Sequence, residues 1–330
     1  MNVRKLITAL LVTLWGSALA QETVDYKPNF HGAIRSRWEM ETKSGESRFQ
    51  VRYARFTVDG KIAPTIDYFL QTDLCDQGKM KILDAYGRMR VINGLYVQAG
   101  QFRMPFGVEP FRAPQNYLFA NRSFMAKLMC NYRKVGAKVS YSIPVETPLL
   151  VEGGVFNAGT ISDHNEWNKS YAYAGKIIWT LGQFNLSAGA LSILPETTRI
   201  NMYDAALSWE NDHVLAAAEY MNEHYTNNSH NDSHSYCMYV DYHRPVKAGV
   251  FNQWSVQGRF DGQTAQWNGL TDDNDNLACK RVTIGSTLTY KRGTVFADVR
   301  LNYEKFFYDH DIKAPQGLGD KIVAELVVRF

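Results

Sequence analysis

Apolar and polar residues alternate along the final segment of the chain, residues 319–330. Every second position there is Ile, Ala, Leu, Val and finally Phe330, whereas Glu325 and Arg329 lie between them. The same alternation recurs in residues 294–305. A period of two places successive side chains on opposite faces of a β-strand. Each segment therefore predicts a strand with one apolar and one polar face.

The same pattern along the rest of the chain predicts 16 strands and an all-β fold. The strands are predicted at 29–42, 48–59, 61–74, 81–91, 94–103, 133–142, 148–157, 169–181, 182–193, 200–210, 212–224, 234–244, 250–261, 278–291, 294–307 and 319–330. The apolar parity is expected to face outer-membrane lipid and the polar parity the interior. An even number of such strands predicts a transmembrane antiparallel β-barrel.

The connections between these strands alternate between short and long. Tight turns are predicted at Asp59-Gly60, Asn93-Gly94, Leu181-Gly182, Glu210-Asn211 and Arg292-Gly293. Longer polar segments are predicted at 104–132, 158–168, 225–233, 262–277 and 308–318. Outer-membrane barrels have short periplasmic turns and long extracellular loops. This asymmetry favours a transmembrane barrel over the main alternative, a secreted soluble β-sandwich.

The first twenty residues have the parts of a cleavable export signal. Two basic residues precede an apolar run from Leu6 to Trp15, and Ala18-Leu19-Ala20 forms a small-x-small cleavage pattern. We therefore expect residues 1–20 to be a signal peptide that is removed, and residues 21–330 to form a single outer-membrane β-barrel domain. No later window contains the roughly 18 consecutive apolar residues that a membrane helix needs.

Composition adds two constraints. Aromatic residues make up 13% of the chain and include 19 tyrosines, and barrel proteins place such residues in girdles at both membrane interfaces. Without residues 1–20 the chain has 34 basic and 33 acidic side chains. This balance lacks the strongly basic character of nucleic-acid-binding domains, so no nucleic-acid partner is expected.

Several short motifs occur in a fixed order between residues 48 and 124. They are Arg52-Tyr53-Ala54-Arg55, Asp59-Gly60-Lys61, Gln71-Thr72-Asp73, Leu83-Asp84-Ala85-Tyr86, the run from Gly100 to Glu109, and Asn121-Arg122-Ser123. In order and spacing they resemble the phosphate-selective porin O and P family, in its Bacteroidota-like form. The resemblance implies a 16-stranded homotrimeric outer-membrane porin with an anion-preferring pore. Phosphate and other small hydrophilic solutes would diffuse through it passively, without a cofactor or metal.

Two features depart from the family pattern. The basic residue before Pro105 is Arg103, where the family often has Lys, so the charge is kept. The chain is also short for the family, and some extracellular loops are therefore expected to be trimmed. Outside residues 48–124 the family's anion-binding positions cannot be aligned with this chain.

The longest predicted connection, residues 104–132, is rich in basic side chains. It contains Arg112, Arg122 and Lys127, with Glu109 as its only acid. Arg can donate two parallel hydrogen bonds to phosphate, and rings of Arg and Lys favour anions in pores. We therefore predict a long inward-folding loop that forms a positive constriction. The alternatives are a solvated extracellular loop, or a loop that binds lipopolysaccharide phosphates at the rim.

The predicted pore residues are basic side chains of this connection and of the strands around it. They are Arg52, Arg88, Arg103, Arg112, Arg122, Lys127 and Arg133. Acids such as Glu219 and Asp298 share the inward parity, so the lumen is expected to be mixed in charge. For these charged side chains, ion pairing across strands and a role in transport are equally open. Arg55 has the opposite parity to Arg52, which requires a β-bulge or an interface position there.

Other chemistries have less support. Cys75, Cys130, Cys237 and Cys279 lack the spacing of metal or redox motifs, and a Cys75–Cys130 disulfide and four separate thiols both remain open. The histidines within residues 224–234 are expected in a solvated loop rather than at a metal. No nucleophile motif indicates an enzyme. The main functional alternative is a non-conducting outer-membrane barrel that acts as a surface adhesin or partner-docking protein.

Overall fold

A single closed antiparallel barrel of 16 strands forms the structure. The computed structural model describes residues 25–76, 79–112, 117–159, 161, 167, 169–195, 197–226, 229–265, 278–308 and 317–330. The predicted signal peptide, residues 1–20, lies outside the described residues. The predicted all-β fold, its antiparallel pairing and its 16 strands are confirmed.

The alternating residues give long strands that pair with their sequence neighbours. The strands are β1 (Asn29–Glu41), β2 (Ser47–Ala63), β3 (Ile66–Asp76), β4 (Lys79–Ile92), β5 (Leu95–Arg103), β6 (Arg133–Ile143), β7 (Leu149–Asn157), β8 (Tyr171–Leu181), β9 (Phe184–Ile193), β10 (Ile200–Glu210), β11 (Val214–Tyr225), β12 (Ser233–Ala248), β13 (Phe251–Gln263), β14 (Cys279–Arg292), β15 (Val295–Tyr308) and β16 (Lys321–Arg329). In the described part of the chain, no helix is long and apolar enough to span a membrane.

The two ends of the barrel differ in their connections. At one end, here called the short-turn end, brief turns follow the even-numbered strands. At the other, the long-loop end, connections such as residues 104–132 and 158–170 follow odd-numbered strands. The short-turn end corresponds to the periplasmic side of outer-membrane barrels.

Pairing of β1 with β16 closes the barrel. Next to these paired residues, the Gly32 N–H donates to the Phe330 carbonyl oxygen at 2.7 Å, and the Phe330 N–H donates back to Gly32 at 3.0 Å. The Phe330 ring covers Gly32, where a Cβ would overlap it. Closure leaves no unpaired sheet edge, and this satisfies the backbone polar groups that lipid cannot.

The outward face of the barrel is apolar and exposed. On β15 and β16, Val299, Leu301 and Leu326 are about half exposed, whereas Arg300 and Glu325 at intervening positions are buried. Exposed apolar side chains of this kind are suited to contact with lipid, and the charged ones are paired inside, as Arg300 is with Glu325 at 2.8 Å. The alternation therefore has the predicted orientation on these strands.

A β-bulge at Arg52 resolves the conflict of parity in β2. Tyr53 pairs with Arg35 and Val51 pairs with Ser36, so Arg52 is the additional residue. A bulge shifts the alternation by one position, and Tyr53 consequently points inward and is only 3% exposed. The irregularity that the sequence required is confirmed.

Strand β2 continues past the turn predicted at Asp59-Gly60, and that prediction is wrong. Gly60 pairs with Tyr68 inside the sheet, and the chain reverses only at residues 64 and 65. A Cβ on residue 60 would lie 2.7 Å from the Tyr68 hydroxyl. The glycine makes room for a tyrosine on the neighbouring strand, a role that a two-residue turn signal does not distinguish. The other predicted turns join the expected strands.

Part of the barrel interior is apolar, unlike the polar lumen that the alternation predicts. Inward-facing apolar residues of β7 to β12 form a buried cluster, which includes Phe156, Ala172, Ala174, Leu191, Ile193, Ile200, Met202, Met221, Tyr225 and Cys237. These strands therefore present apolar groups on both faces. The inner group packs against protein instead of facing water, as the next subsection describes.

Gly136 on β6 and Gly153 on β7 provide a matched test of interior packing. A Cβ on residue 136 would overlap the Val155 carbonyl oxygen and lie 2.6 Å from the Phe156 ring, whereas one on residue 153 would meet nothing within 4 Å. We expect Gly136→Ala to lower the free energy of unfolding by about 1–3 kcal/mol, because the Val155 carbonyl oxygen belongs to the backbone and cannot rotate away from the added methyl group as a side chain could. Urea titration in lipid vesicles measures this, with Gly153→Ala as control. Equal midpoints for the two variants would contradict it.

Candidate functional site

Residues 104–132, here called the β5–β6 segment, form two short helical turns. A 3-10 turn spans Glu109–Phe111 and helix α1 spans Phe124–Leu128. The Ser123 side chain accepts a hydrogen bond from the Ala126 N–H and so caps α1. Glu109 accepts from the Ser123 N–H at 3.1 Å. The acid of this segment therefore stabilises the segment itself.

Inward-facing side chains of the strands accept hydrogen bonds from the backbone of the β5–β6 segment. The pairs are Val108 N–H with Glu219 on β11 at 2.8 Å, Ala120 N–H with Asn302 on β15 at 2.6 Å, and Phe124 N–H with Asp261 on β13 at 3.0 Å. A buried backbone N–H without a partner is costly. These side chains supply the partners that a regular ladder would otherwise provide.

Basic side chains of the strands donate to carbonyl oxygens of the same segment. The pairs are Arg259 with Asn121 at 2.8 Å, Arg281 with Arg122 at 2.7 Å, and Arg35 with Ala120. Arg281 also pairs with Asp261 at 2.8 Å and with Glu304 at 3.3 Å. Buried charges persist only when they are paired and hydrogen-bonded. The mixed charges of this part of the lumen therefore have a structural role.

The apolar side of the β5–β6 segment packs against the wall formed by β7 to β12. Met104, Phe106, Met125, Met129 and Cys130 are each at most 2% exposed and belong to the apolar cluster of those strands. Burial of this much apolar surface stabilises the contact. The segment thus occupies the side of the interior that faces β7 to β12.

Asp261→Asn tests whether the strand side chains hold the segment. The change leaves Arg259 without its buried counter-charge and Arg281 with only Glu304 at 3.3 Å, so we expect the free energy of unfolding to fall by about 3 kcal/mol. Single-channel current should also become noisier as the segment loosens. The control is Asp241→Asn, because Asp241 is similarly buried but contacts His243 instead of the segment. Similar losses in both variants would argue against this anchoring.

Two cavities lie beside the β5–β6 segment and are lined mainly by this segment and by strands β1 to β4. The first, here called the long-loop chamber, has a volume of about 810 Å³ and is lined by residues such as Arg48, Lys81 and Lys321. The second, the short-turn chamber, has about 330 Å³ and is lined by residues such as His31 and Asp59. The open part of the interior is therefore displaced to one side of the barrel.

Basic side chains dominate the wall of the long-loop chamber. They are Arg35, Arg37, Arg48, Arg52, Arg55, Lys81, Arg122, Lys127, Arg133, Lys134, Arg281 and Lys321, and among the described lining residues the only acid is Asp73. Several carboxylates that neutralise them, such as Glu325 beside Arg35 at 2.5 Å, do not line the chamber. A solute in the chamber would therefore be surrounded mainly by positive groups.

Arg55 and Arg133 line both chambers and mark the place where the two meet, here called the waist. Arg133 pairs with Asp84, with its Nε at 3.0 Å from a carboxylate oxygen, and Arg55 lies 3.5 Å from Asp73. Arg103 is directly opposite Arg133 in the pairing of β5 with β6. Three arginines and two acids thus lie close together at the waist.

Two tyrosines support the arginines beside the waist. The Arg55 guanidinium lies 4.6 Å from the centre of the Tyr53 ring, and Arg122 lies 4.9 Å from that of Tyr117. Such cation–π contacts contribute about 0.5–2 kcal/mol each. Arg35 lies 5.8 Å from both rings. These contacts fix the positions of the guanidinium groups.

Several buried donors beside the waist lack a partner among the described residues. They are Nε and Nη2 of Arg103 and the hydroxyls of Tyr53 and Tyr117. Buried polar groups are almost always hydrogen-bonded, and a water or an ion is one kind of partner that satisfies an exception. An anion accepts hydrogen bonds and carries the complementary charge. The donor set therefore fits an anion.

The structure brings six of the seven predicted pore residues to the two chambers. Arg52, Arg122 and Lys127 line the long-loop chamber, Arg103 and Arg112 line the short-turn chamber, and Arg133 lines both. Arg88 lines neither: it pairs with Asp67 at 3.0 Å and stacks on Tyr96 near the short-turn end.

Arg55, Tyr53 and Tyr117 were not among the predicted pore residues. Arg55 and Tyr53 belong to a quoted motif, and the parity conflict at Arg52 was the signal that their strand is irregular. Tyr117 had no such signal, because it lies in a segment without alternation. Only the folding of that segment brings Tyr117 next to Arg122.

The cysteines and histidines form no second site in the described residues. All four cysteines are free, so the Cys75–Cys130 disulfide, one of two open alternatives, is absent; Cys130 lies in the apolar cluster. His224 pairs with Asp232 at 2.8 Å. Among the described residues no group of His, Cys, Asp or Glu has the arrangement of a metal site.

Lys127 on α1 gives the long-loop chamber a charge that depends on pH. Burial, together with the nearby charges of Lys321 and Arg281, lowers the pKa of Lys127 below the ordinary value of 10.5. Lys127 therefore loses its proton at a lower pH than a solvated lysine. We expect anion selectivity, measured by reversal potential, to fall as alkaline pH is approached.

Lys127→Arg should remove this alkaline fall, since arginine stays charged. Lys169→Arg is the control, because Lys169 is exposed and lines neither chamber. An unchanged pH profile in Lys127→Arg would show that another group titrates.

Comparison with known proteins identifies the family. The sequence model of the family described as phosphate-selective porin O and P matches residues 24–191, slightly more than half of the chain. The chain belongs to this family. No curated protein sequence gives a significant match.

Solved porin structures share the fold at low sequence identity. OmpF of Salmonella typhi, in complex with daunomycin, has a TM-score of 0.66 and 14% identity, with 92% of this chain and 98% of that chain covered. The trimer form of OmpT, an outer membrane protein of Vibrio cholerae, has a TM-score of 0.62 and 12% identity, with the same coverage of both chains. The anion-selective porin from Comamonas acidovorans has a TM-score of 0.60 and 12% identity, again with 92% of this chain and 98% of that chain covered.

Family and fold together define the class. The chain is a porin, an outer-membrane β-barrel channel. The expectation of a 16-stranded porin that the sequence motifs raised is thereby confirmed.

Proposed function

We propose that this porin admits small hydrophilic solutes by passive diffusion and prefers anions, phosphate among them. The observation that carries the proposal is the waist, where Arg55, Arg103 and Arg133 lie beside the hydroxyls of Tyr53 and Tyr117. Arginine forks match the geometry of phosphate oxygens. The family description and the anion-selective porin of similar fold support the same preference.

The β5–β6 segment is proposed as the constriction of the channel. It contributes Arg112, Arg122 and Lys127 to the two chambers, and its backbone is anchored to the barrel wall. Basic rings of this kind favour anions. Six of the seven predicted pore residues thus belong to the proposed path, and Arg88 contributes at most to its short-turn mouth.

The protein is further proposed to be a homotrimer in the outer membrane. A solved structure with the same fold is described as a trimer form, and the family resemblance implies three subunits. Exposed apolar residues on the outer face of β1 and β2, such as Ile34, Val51 and Phe56, are compatible with contact to either lipid or a second copy.

Conductance in planar bilayers tests the anion preference. Under a salt gradient in chloride we expect an anion-selective reversal potential. Added phosphate should block the chloride current, and the concentration that blocks half of it measures phosphate binding. Arg103→Gln should lower the anion permeability roughly fourfold and the anion-to-cation permeability ratio by more, since one charge about 5 Å from an ion is worth about 0.8 kcal/mol in water. A cation-selective reversal potential would refute the proposal, and no conductance would favour the adhesin alternative.

Two variants distinguish anion binding at the waist from a general effect of positive charge. Tyr53→Phe with Tyr117→Phe removes two donors without changing charge, so we expect phosphate to block at a concentration about fivefold higher with chloride selectivity kept. Arg88→Gln is the control for Arg103→Gln, because Arg88 lines neither chamber. Equal effects of the two arginine variants would place the selectivity elsewhere.

A further inference from the structure

The long-loop chamber is large for an inorganic anion. Its volume of about 810 Å³ lies within the range of about 300–1,000 Å³ typical of pockets for organic ligands. Inorganic phosphate would fill a small part of it and would contact only one group of basic side chains at a time. The size of the chamber therefore does not match phosphate alone.

The wall of this chamber is divided chemically. Arg37, Arg48 and Arg52 come from β1 and β2, on one side. On the side of β6 to β9, the lining includes four apolar residues, Tyr132, Ile161, Ile193 and Pro195, here called the apolar patch. They lie next to Arg133 and to Lys134, whose Nζ donates to the Ala158 carbonyl oxygen at 2.6 Å. The patch continues the buried cluster between the β5–β6 segment and β7 to β12, to which Ile193 belongs.

The apolar patch is not needed to carry a bare anion. Water against apolar side chains is released when an apolar group replaces it, and this release favours binding. A solute with both an anionic group and an apolar body would contact the two parts of the wall together. Asp73, the single acid among the described lining residues, accepts hydrogen bonds from the N–H groups of Ala54 and Cys75 at 3.2 Å and lies 3.5 Å from Arg55, which balances its charge.

We propose that the long-loop chamber binds small organic anions, in which a carboxylate or phosphate group is attached to an apolar or aromatic body, in preference to inorganic phosphate. The anionic group contacts the arginines of β1 and β2, and the body contacts the apolar patch. This inference rests on the proposed anion preference and specifies the class of solute for the same path.

Block of the chloride current by three phosphates tests this inference. Phenyl phosphate and methyl phosphate carry the same anionic group, and inorganic phosphate has no organic body. We expect phenyl phosphate to reach half-block at a concentration about tenfold lower than methyl phosphate, since contact of a ring with the patch buries apolar surface. Equal half-block concentrations in an anion-selective channel would overturn this inference and leave the proposed function intact.

A pair of loop substitutions places the effect at the apolar patch. Ile161→Ser with Pro195→Ser should reduce the advantage of phenyl phosphate to about twofold or less and leave block by inorganic phosphate unchanged. Pro144→Ser with Val145→Ser is the control, since both residues are exposed in a turn at the short-turn end. An undiminished advantage in the patch variant would overturn the inference. If the unmodified protein shows no anion selectivity, the proposed function itself is overturned.

Discussion

The docking of the β5–β6 segment onto inward-facing side chains is the interaction on which the interior of this porin depends. A segment without regular secondary structure cannot be buried unless its backbone groups find partners. Glu219, Asp261 and Asn302 accept from its N–H groups, and Arg259 and Arg281 donate to its carbonyl oxygens. These charges would be costly alone, and the segment would be costly without them, so each makes the burial of the other favourable.

This docking also determines where the interior is open among the described residues. Because the segment packs on the apolar inner wall of β7 to β12, the described cavities lie on its other side, lined mainly by β1 to β4 and also by residues of β6, β9 and β14 to β16. The basic side chains there keep their charge exposed to the chambers, while carboxylates such as Glu325 and Glu304 pair with them away from the cavity. The described wall of the long-loop chamber is therefore strongly basic in a nearly neutral chain, because the opposite charges lie at different positions.

The strands, their order and their orientation were readable from the sequence because lipid and lumen impose a period of two on each strand. The bulge at Arg52 was readable for the same reason, as a break in that period. The continuation of β2 through Asp59-Gly60 was not readable, because Gly60 makes room for Tyr68 on a neighbouring strand and not for a turn. The apolar inner face of β7 to β12 was also unexpected, since alternation assumes water inside the barrel.

The sequence by itself determined a 16-stranded outer-membrane barrel, its family, and the basic side chains that were expected in the pore. Only the tertiary structure decided which of them come together. It placed Arg52, Arg122 and Arg133 on the chambers, left Arg88 outside them, and added Tyr53 and Tyr117 beside the waist. The physical reason is that strand periodicity is local, whereas the path of the β5–β6 segment depends on partners from β11, β13, β14 and β15, far away along the chain.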